Sequence, residues 1–161
     1  MNLKKLFIIV ALSIVGLIII ACLSVYVYKI KDNSTLYPFR INEKRGYIDK
    51  NGKMIIQPIY DSVGYFKEGL ASVNINGKWG YIDKKGKMVI QPVYNSTWDF
   101  NKGLGRVNTN GKWGYIDKKC KMVIQPVYDD AYNFNEGLAV VVINGKSSYI
   151  DKKGKMIFQF N

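Results

Sequence analysis

From Leu36 onward the chain sets apolar against polar residues in short runs, and the runs recur every 34 residues behind Leu36, Leu70, Leu104 and Leu138. Between Leu70 and Ile75 the residues Ala71, Val73 and Ile75 fall on one side and Ser72 and Asn74 on the other, the period of a half-buried strand. Asn76-Gly77 then predicts a type I′ hairpin turn, because both central residues need positive φ. A second strand, Lys78 to Asp83, is followed by the turn Lys84-Lys85-Gly86 and a third strand, Lys87 to Gln91, that Pro92 ends for lack of an N–H. About eleven residues, Pro92 to Lys102, cross to the next copy with Tyr94, Trp98 and Phe100, and Gly103 closes the crossing where positive φ is needed. The pattern predicts an all-β chain of tandem three-stranded antiparallel meanders.

Copies two and three share 24 of 34 positions, the first reads the same way with edits, and the fourth has 24 residues. The units are 36–69, 70–103, 104–137 and 138–161. Such a period marks an array in which each unit buries an apolar face against the next. Propeller blades usually carry four strands in 40 or more residues, so three strands in 34 favour an open or curved stack. Phe160 stands where the other copies have Pro58, Pro92 and Pro126, and Ser147-Ser148 stand where two copies have Trp-Gly. Arg45-Gly46 departs similarly in the first copy, and atypical end units are what the caps of an array look like.

The N-terminus has another pattern. A basic tail, residues 1–5, precedes 23 uncharged residues, 6–28, and a linker, 29–35. A run of that length and hydropathy is a membrane segment, either a spanning helix or a signal. Ile19-Ile20-Ala21-Cys22 resembles a bacterial lipobox, which would lipidate Cys22, but Leu23 to Tyr28 stays apolar and favours an uncleaved spanning helix. Lys29, Lys31, Arg40 and Lys44 outnumber Lys4 and Lys5, which on charge alone would keep the array in the cytoplasm. Signal-like N-termini carry the chain behind them across the membrane, and on that ground the repeats are expected on the outer face of a bacterial cell membrane.

The string Gly77-Lys78-Trp79-Gly80-Tyr81-Ile82-Asp83-Lys84-Lys85, continued by Lys87-Met88-Val89-Ile90-Gln91-Pro92-Val93-Tyr94, resembles the WG (KWG) repeat family of bacteria. The likeness extends over 36–161 and implies a β-rich tandem module, often behind a signal or membrane segment, with no catalytic residues to carry over. Trp79 and Trp113 are the matching tryptophans.

Charge narrows the partners. Residues 36–161 carry 20 Lys and Arg against 11 Asp and Glu, a net +9, which favours an anionic partner. Lys84, Lys85, Lys87, Lys118, Lys119 and Lys121 lie in the equivalent turns and are expected to form a stripe along one rim. Such a stripe would hold an anionic wall or surface polymer, or else guard exposed turns against aggregation. Asp49, Asp83, Asp117 and Asp151 recur once per unit, where a carboxylate takes turn N–H groups instead of pairing for acid–base work or calcium. Tyr47, Tyr81, Tyr115 and Tyr149 read as packing residues at the same place in each layer. Trp98, whose counterparts are Gly64 and Tyr132, is the first candidate contact residue, with Trp79 and Trp113 behind it.

The chain has no histidine and only two cysteines, Cys22 and Cys120, so it lacks the usual general base and any disulfide framework. Cys120 occupies the turn-glycine position of Gly52, Gly86 and Gly154. No cofactor, metal, small-molecule substrate or nucleic-acid partner is expected, and an envelope hydrolase is disfavoured. The sequence reads as a non-catalytic, membrane-anchored module that binds an anionic envelope polymer or, in a second reading, an envelope protein.

Overall fold

The computed structural model describes residues 16–20 and 35–160, and the β-rich unit begins at Thr35. Residues 16–20 are helical. No helix among the described residues is long and apolar enough to cross a membrane. The rest of the 6–28 segment, Cys22 and linker residues 29–34 lie outside the described residues.

Backbone chirality sets the punctuation of the array. Asn76 (φ 51°) and Gly77 (φ 78°) form the expected type I′ turn, and Asn110-Gly111 and Asn144-Gly145 repeat it. A further turn of the same hand closes each crossing. Glu68 (φ 53°) and Gly69 (φ 89°) sit between Lys67 and Leu70, which exchange both backbone hydrogen bonds at 2.8 and 3.0 Å. Gly103 has φ 88°, as its place in the pattern requires.

Fifteen strands among the described residues form four antiparallel sheets. The first contains β1 (Tyr37–Ile41), β2 (Lys44–Ile48) and β3 (Met54–Tyr60). The second is β4 (Ser62–Val63), β5 (Leu70–Ile75), β6 (Lys78–Asp83) and β7 (Met88–Tyr94), in that spatial order. The third, β8 (Ser96–Thr97) to β11 (Met122–Tyr128), runs through β9 (Leu104–Thr109) and β10 (Lys112–Asp117). The fourth comprises β12 (Asp130–Ala131), β13 (Leu138–Ile143), β14 (Lys146–Asp151) and β15 (Met156–Gln159).

Three expectations change here. Pro92 does not end the third strand, which bulges there and pairs again at Tyr94. The three-stranded meander holds only for the first sheet, because the start of each crossing adds a short edge strand to the next sheet. Ser62 and Val63 pair with Asn74 and Val73, and β8 and β12 do the same in their sheets. Two residues are too few to show a strand period, so the pattern alone could not reveal them. The half-buried reading of β5 also fails: its first five residues are all buried. Both faces of that sheet are covered, Ala71 and Val73 against the first sheet and Leu70 against the third.

Successive sheets overlap by two strands, with β4 on β2 and β5 on β3, then β6 on β8 and β7 on β9. Three separate cores result. Tyr47, Ile56 and Tyr60 meet Val73 and Ile82; Tyr81 and Ile90 meet Phe100, Val107 and Ile116; Tyr115 and Ile124 meet Phe134, Val141 and Ile150. Full burial of one such aliphatic side chain contributes about 1.5–3 kcal/mol, and each core is shared by two units.

Candidate functional site

Register divides each sheet into two ends. Leu70 pairs with Asp83 and Ile75 with Lys78, so the Glu68-Gly69 turn and the aspartate–lysine turn share one end, with the Asn-Gly hairpin at the other. The first end collects thirteen lysines against six carboxylates, a net +7 of the +9 carried by residues 36–161.

The four aspartates there are occupied locally. Oδ1 of Asp49 accepts the N–H groups of Asn51 and Lys53, and Asp83, Asp117 and Asp151 do the same two and four residues on, at 2.8–2.9 Å throughout. Each carboxylate thus shapes a turn and presents its lysines outward. Lys85, Lys87, Lys118, Lys119 and Lys121 are exposed and Lys84 is half-buried. Neighbouring sheets also meet at this end. Glu68 accepts the Gly103 N–H and pairs with Lys118, each at 3.0 Å, while Lys152 donates to the Lys102 carbonyl at 3.3 Å. Burial pushes the Glu68 carboxyl up, but Lys118 and the Gly103 N–H outweigh it and hold the group below its ordinary value.

At the opposite end two carboxylates are paired with lysines. Asp61 pairs with Lys44 and accepts the Asn76 N–H from the next unit at 2.7 Å; Asp129 repeats this with Lys112 and Asn144. The lysine hydrogen bond first, then the N–H, holds both carboxyls below their usual range. Asn95 takes the same place in the middle unit and accepts the Asn110 N–H at 3.2 Å.

The crossings form a third surface. Tyr47, Tyr81 and Tyr115 are buried, and each donates its hydroxyl to a crossing carbonyl: Gly64 at 2.8 Å, Trp98 at 2.6 Å and Tyr132 at 2.7 Å. Burial pushes all three phenols well up. Each ring meets a crossing phenylalanine edge-on, with centroids 4.8–5.0 Å apart. These bonds hold the crossings in place, and side chains beside them remain open: Trp98 is 55% exposed, Tyr65 63% and Tyr132 51%.

The Arg106 guanidinium lies 4.8 Å from the Trp98 ring centroid and donates through Nη1 to the carbonyl of Ala131, in the next sheet. Its Nε is buried without a partner, and burial pulls the group below its ordinary value. Asp99 turns toward the preceding crossing, with Oδ1 3.1 Å from where a side chain on Gly64 would begin. Burial pushes its carboxyl up, and Lys67 offsets that only in part. The sequence pattern singled out Trp98 and passed over Asp99 and Arg106. Their signal was departure from the repeat, since their counterparts are Tyr65 and Asn133, and Ser72 and Val140.

Trp79 and Trp113 are half-buried beside the sheet bulges, and Trp113 packs on the third core. Cys120 has φ 67°, and its thiol donates to the Val89 carbonyl at 2.9 Å. Burial and then Asp117 push that thiol up, the reverse of what a reactive thiolate needs. Among the described residues no group of three or more His, Cys, Asp and Glu could hold a metal ion.

These features define a class, a tandem array of β-sheets whose sites are surfaces shared by neighbouring repeats. Residues 46–79, 79–113 and 113–146 match the family model described as WG containing repeat, and the chain belongs to that family. The matched segments start at or beside the Trp-Gly pair, so the family's unit is out of phase with the leucine-led one. No curated protein and no solved structure matches the chain.

Proposed function

We propose that this array is a non-catalytic binding module, anchored in the bacterial cell membrane through residues 6–28 and presenting its lysine end to an anionic wall or surface polymer outside the cell. The observation that carries this reading is the asymmetry of charge: +7 at one end of the strands, with the aspartates there turned inward onto backbone N–H groups. A polyanion crossing that end meets a lysine-bearing turn in every sheet, and counterion release makes the affinity depend on salt.

The test is binding of the full chain in mild detergent to purified teichoic acid at rising salt. Affinity should fall steeply with salt and should weaken when Lys84, Lys85 and Lys87 are changed together to Gln. No binding at low salt would sink the proposal. A second reading, docking of an envelope protein on the crossings, is favoured by the exposed Trp98 and Tyr132, and co-purification of one defined protein that is lost with Trp98→Gly would support it.

A further inference from the structure

Three residues in or beside the central crossing break the repeat together. Trp98, Asp99 and Arg106 each differ from both counterparts, in copies that otherwise share most positions. Two of them are charged and partly buried. Asp99 is half-buried, and no hydrogen bond of its carboxylate is found among the described residues; Arg106 commits Nη1 to Ala131 and leaves Nε buried without a partner. Burying charged groups this way costs stability, which the other copies avoid with Tyr65, Ser72, Asn133 and Val140.

We infer that the crossing side of the array binds a glycan, with one sugar ring stacked on Trp98. A sugar ring presents an apolar C–H face to an aromatic platform and hydroxyls around its edge to planar donors and acceptors. Trp98 supplies the platform, Arg106 beside it supplies Nη2, for which no hydrogen bond is found among the described residues, and Asp99 on the other flank of the same crossing supplies an acceptor. Tyr65 and Tyr132 stand one crossing to either side, so a polymer lying along the array meets an exposed aromatic ring at each of three crossings. Packed sheets lie about 10 Å apart, which suits an extended chain more than a single sugar.

Two features choose this ligand over others. A carboxylate, Asp99, stands directly beside the exposed Trp98 ring, whereas the core of a protein interface is depleted in carboxylates. The guanidinium against the indole already draws on its π-electrons, so Trp98 disfavours a cationic ligand such as a quaternary amine. The inference rests on reading the array as a binding module but not on the lysine end, and salt separates the two.

The test uses the full chain in mild detergent with neutral and acidic hexasaccharides, β-linked N-acetylglucosamine, glucose and glucuronate, followed by calorimetry and tryptophan fluorescence at low and high salt. At least one neutral oligomer should bind with an affinity that salt leaves unchanged. Trp98→Gly should weaken it about tenfold or more, and Trp98→Tyr less. Arg106→Ser and Asp99→Asn should each weaken it several-fold. All four substitutions install residues that other copies hold at the same positions, and circular dichroism checks that the sheets persist. Changing Lys84, Lys85 and Lys87 to Gln should leave neutral binding intact. Failure of every oligomer to bind, or binding indifferent to Trp98→Gly, overturns the inference. So does binding that salt and the lysine changes abolish, although that result would leave the polyanion reading standing. Capture of a defined protein through Trp98 with no oligosaccharide bound would also overturn it.

Discussion

The second sheet and the fourth are built from the same pattern, yet their edges differ. In the second, Trp79 pairs with Tyr94 and Tyr81 with Ile90, so two steps along β6 face four along β7. The excess bulges at Gln91-Pro92, and a Cβ on Gly80 would stand 2.3 Å from the Ile90 carbonyl oxygen and 2.8 Å from the Pro92 nitrogen. In the fourth, Ser148 pairs with Gln159 and Tyr149 with Phe158, a straight register at this place with Phe160 where the proline would be, and only the later bulge between Tyr149 and Ile150 remains. The glycine of the Trp-Gly pair and the proline of the Gln-Pro pair are therefore one device: the bulge needs the glycine, and where the proline is missing the glycine is missing too. Arg45-Gly46 with Pro58 sharpens this, since the first sheet keeps the bulge without the tryptophan, and a Cβ on Gly46 would again stand 2.3 Å from a carbonyl.

The largest expected effect tests that device. Gly80→Ser should destabilise the array by about 3 kcal/mol or more, because the clash is with backbone and cannot be relieved by a rotamer change. Ser148→Gly, which removes a buried hydroxyl without a partner, should stay within about 1 kcal/mol of the parent. Adding Pro92→Phe to Gly80→Ser should recover part of the loss by allowing β7 the straight register of β15. Denaturant melts of the three variants decide it; a parent-like melt for Gly80→Ser would refute the bulge account.

Face coverage separates the same two sheets more mildly. Ile90 is buried in the core shared with the third sheet, whereas its counterpart Phe158 is 57% exposed and touches Phe160 of its own chain segment. Tyr149 likewise meets Phe160 at 5.3 Å in place of a crossing phenylalanine. Ile90→Ala should cost about 2–5 kcal/mol and Phe158→Ala within about 1 kcal/mol. Equal losses in thermal melts would mean that the outer face of the fourth sheet is covered.

Much of this architecture was legible because it rests on local chemistry. Asn-Gly forced three of the hairpins, Asn42-Glu43 taking its place in the first sheet, and the alternation in Leu70 to Ile75 marked a strand. Tyr47, Tyr81 and Tyr115 were readable as packing residues from their recurrence at one place in each layer, whereas Tyr149, read the same way, is exposed because no further sheet covers it among the described residues. The illegible parts depend on partners distant in sequence. Ser62 and Val63 become a strand only because Asn74 and Val73 offer an edge, and β5 is covered twice only because sheets lie on both sides. At the surface, the turn aspartates and exposed Trp98 were readable. Arg106 was not, because its surroundings depend on the Ala131 carbonyl of the next sheet and a ring eight residues away.

The smallest expected effect compares two crossing carboxylates that differ in sign. Asp61 lies below its ordinary value of 3.8 because Lys44 and the Asn76 N–H stabilise its charge, so its contribution is present above that value and is lost as pH falls through the folded one. Asp99 lies above 3.8 because burial disfavours its charge, so the folded state binds its proton more tightly than the unfolded state does. Stability therefore declines as pH rises from 3.8 through the raised folded value, and the penalty is complete above it. Asp99→Asn, the residue of the last crossing, should raise the melting temperature slightly at neutral pH, with the gain vanishing below the carboxylate range. Asp61→Asn, imitating the middle unit's Asn95, should lower it slightly at neutral pH and change nothing in acid. Melting curves for both variants across that range check the signs. If Asp99→Asn lowers the neutral melting temperature, Asp99 has a stabilising partner and the unmet carboxylate at the central crossing does not exist.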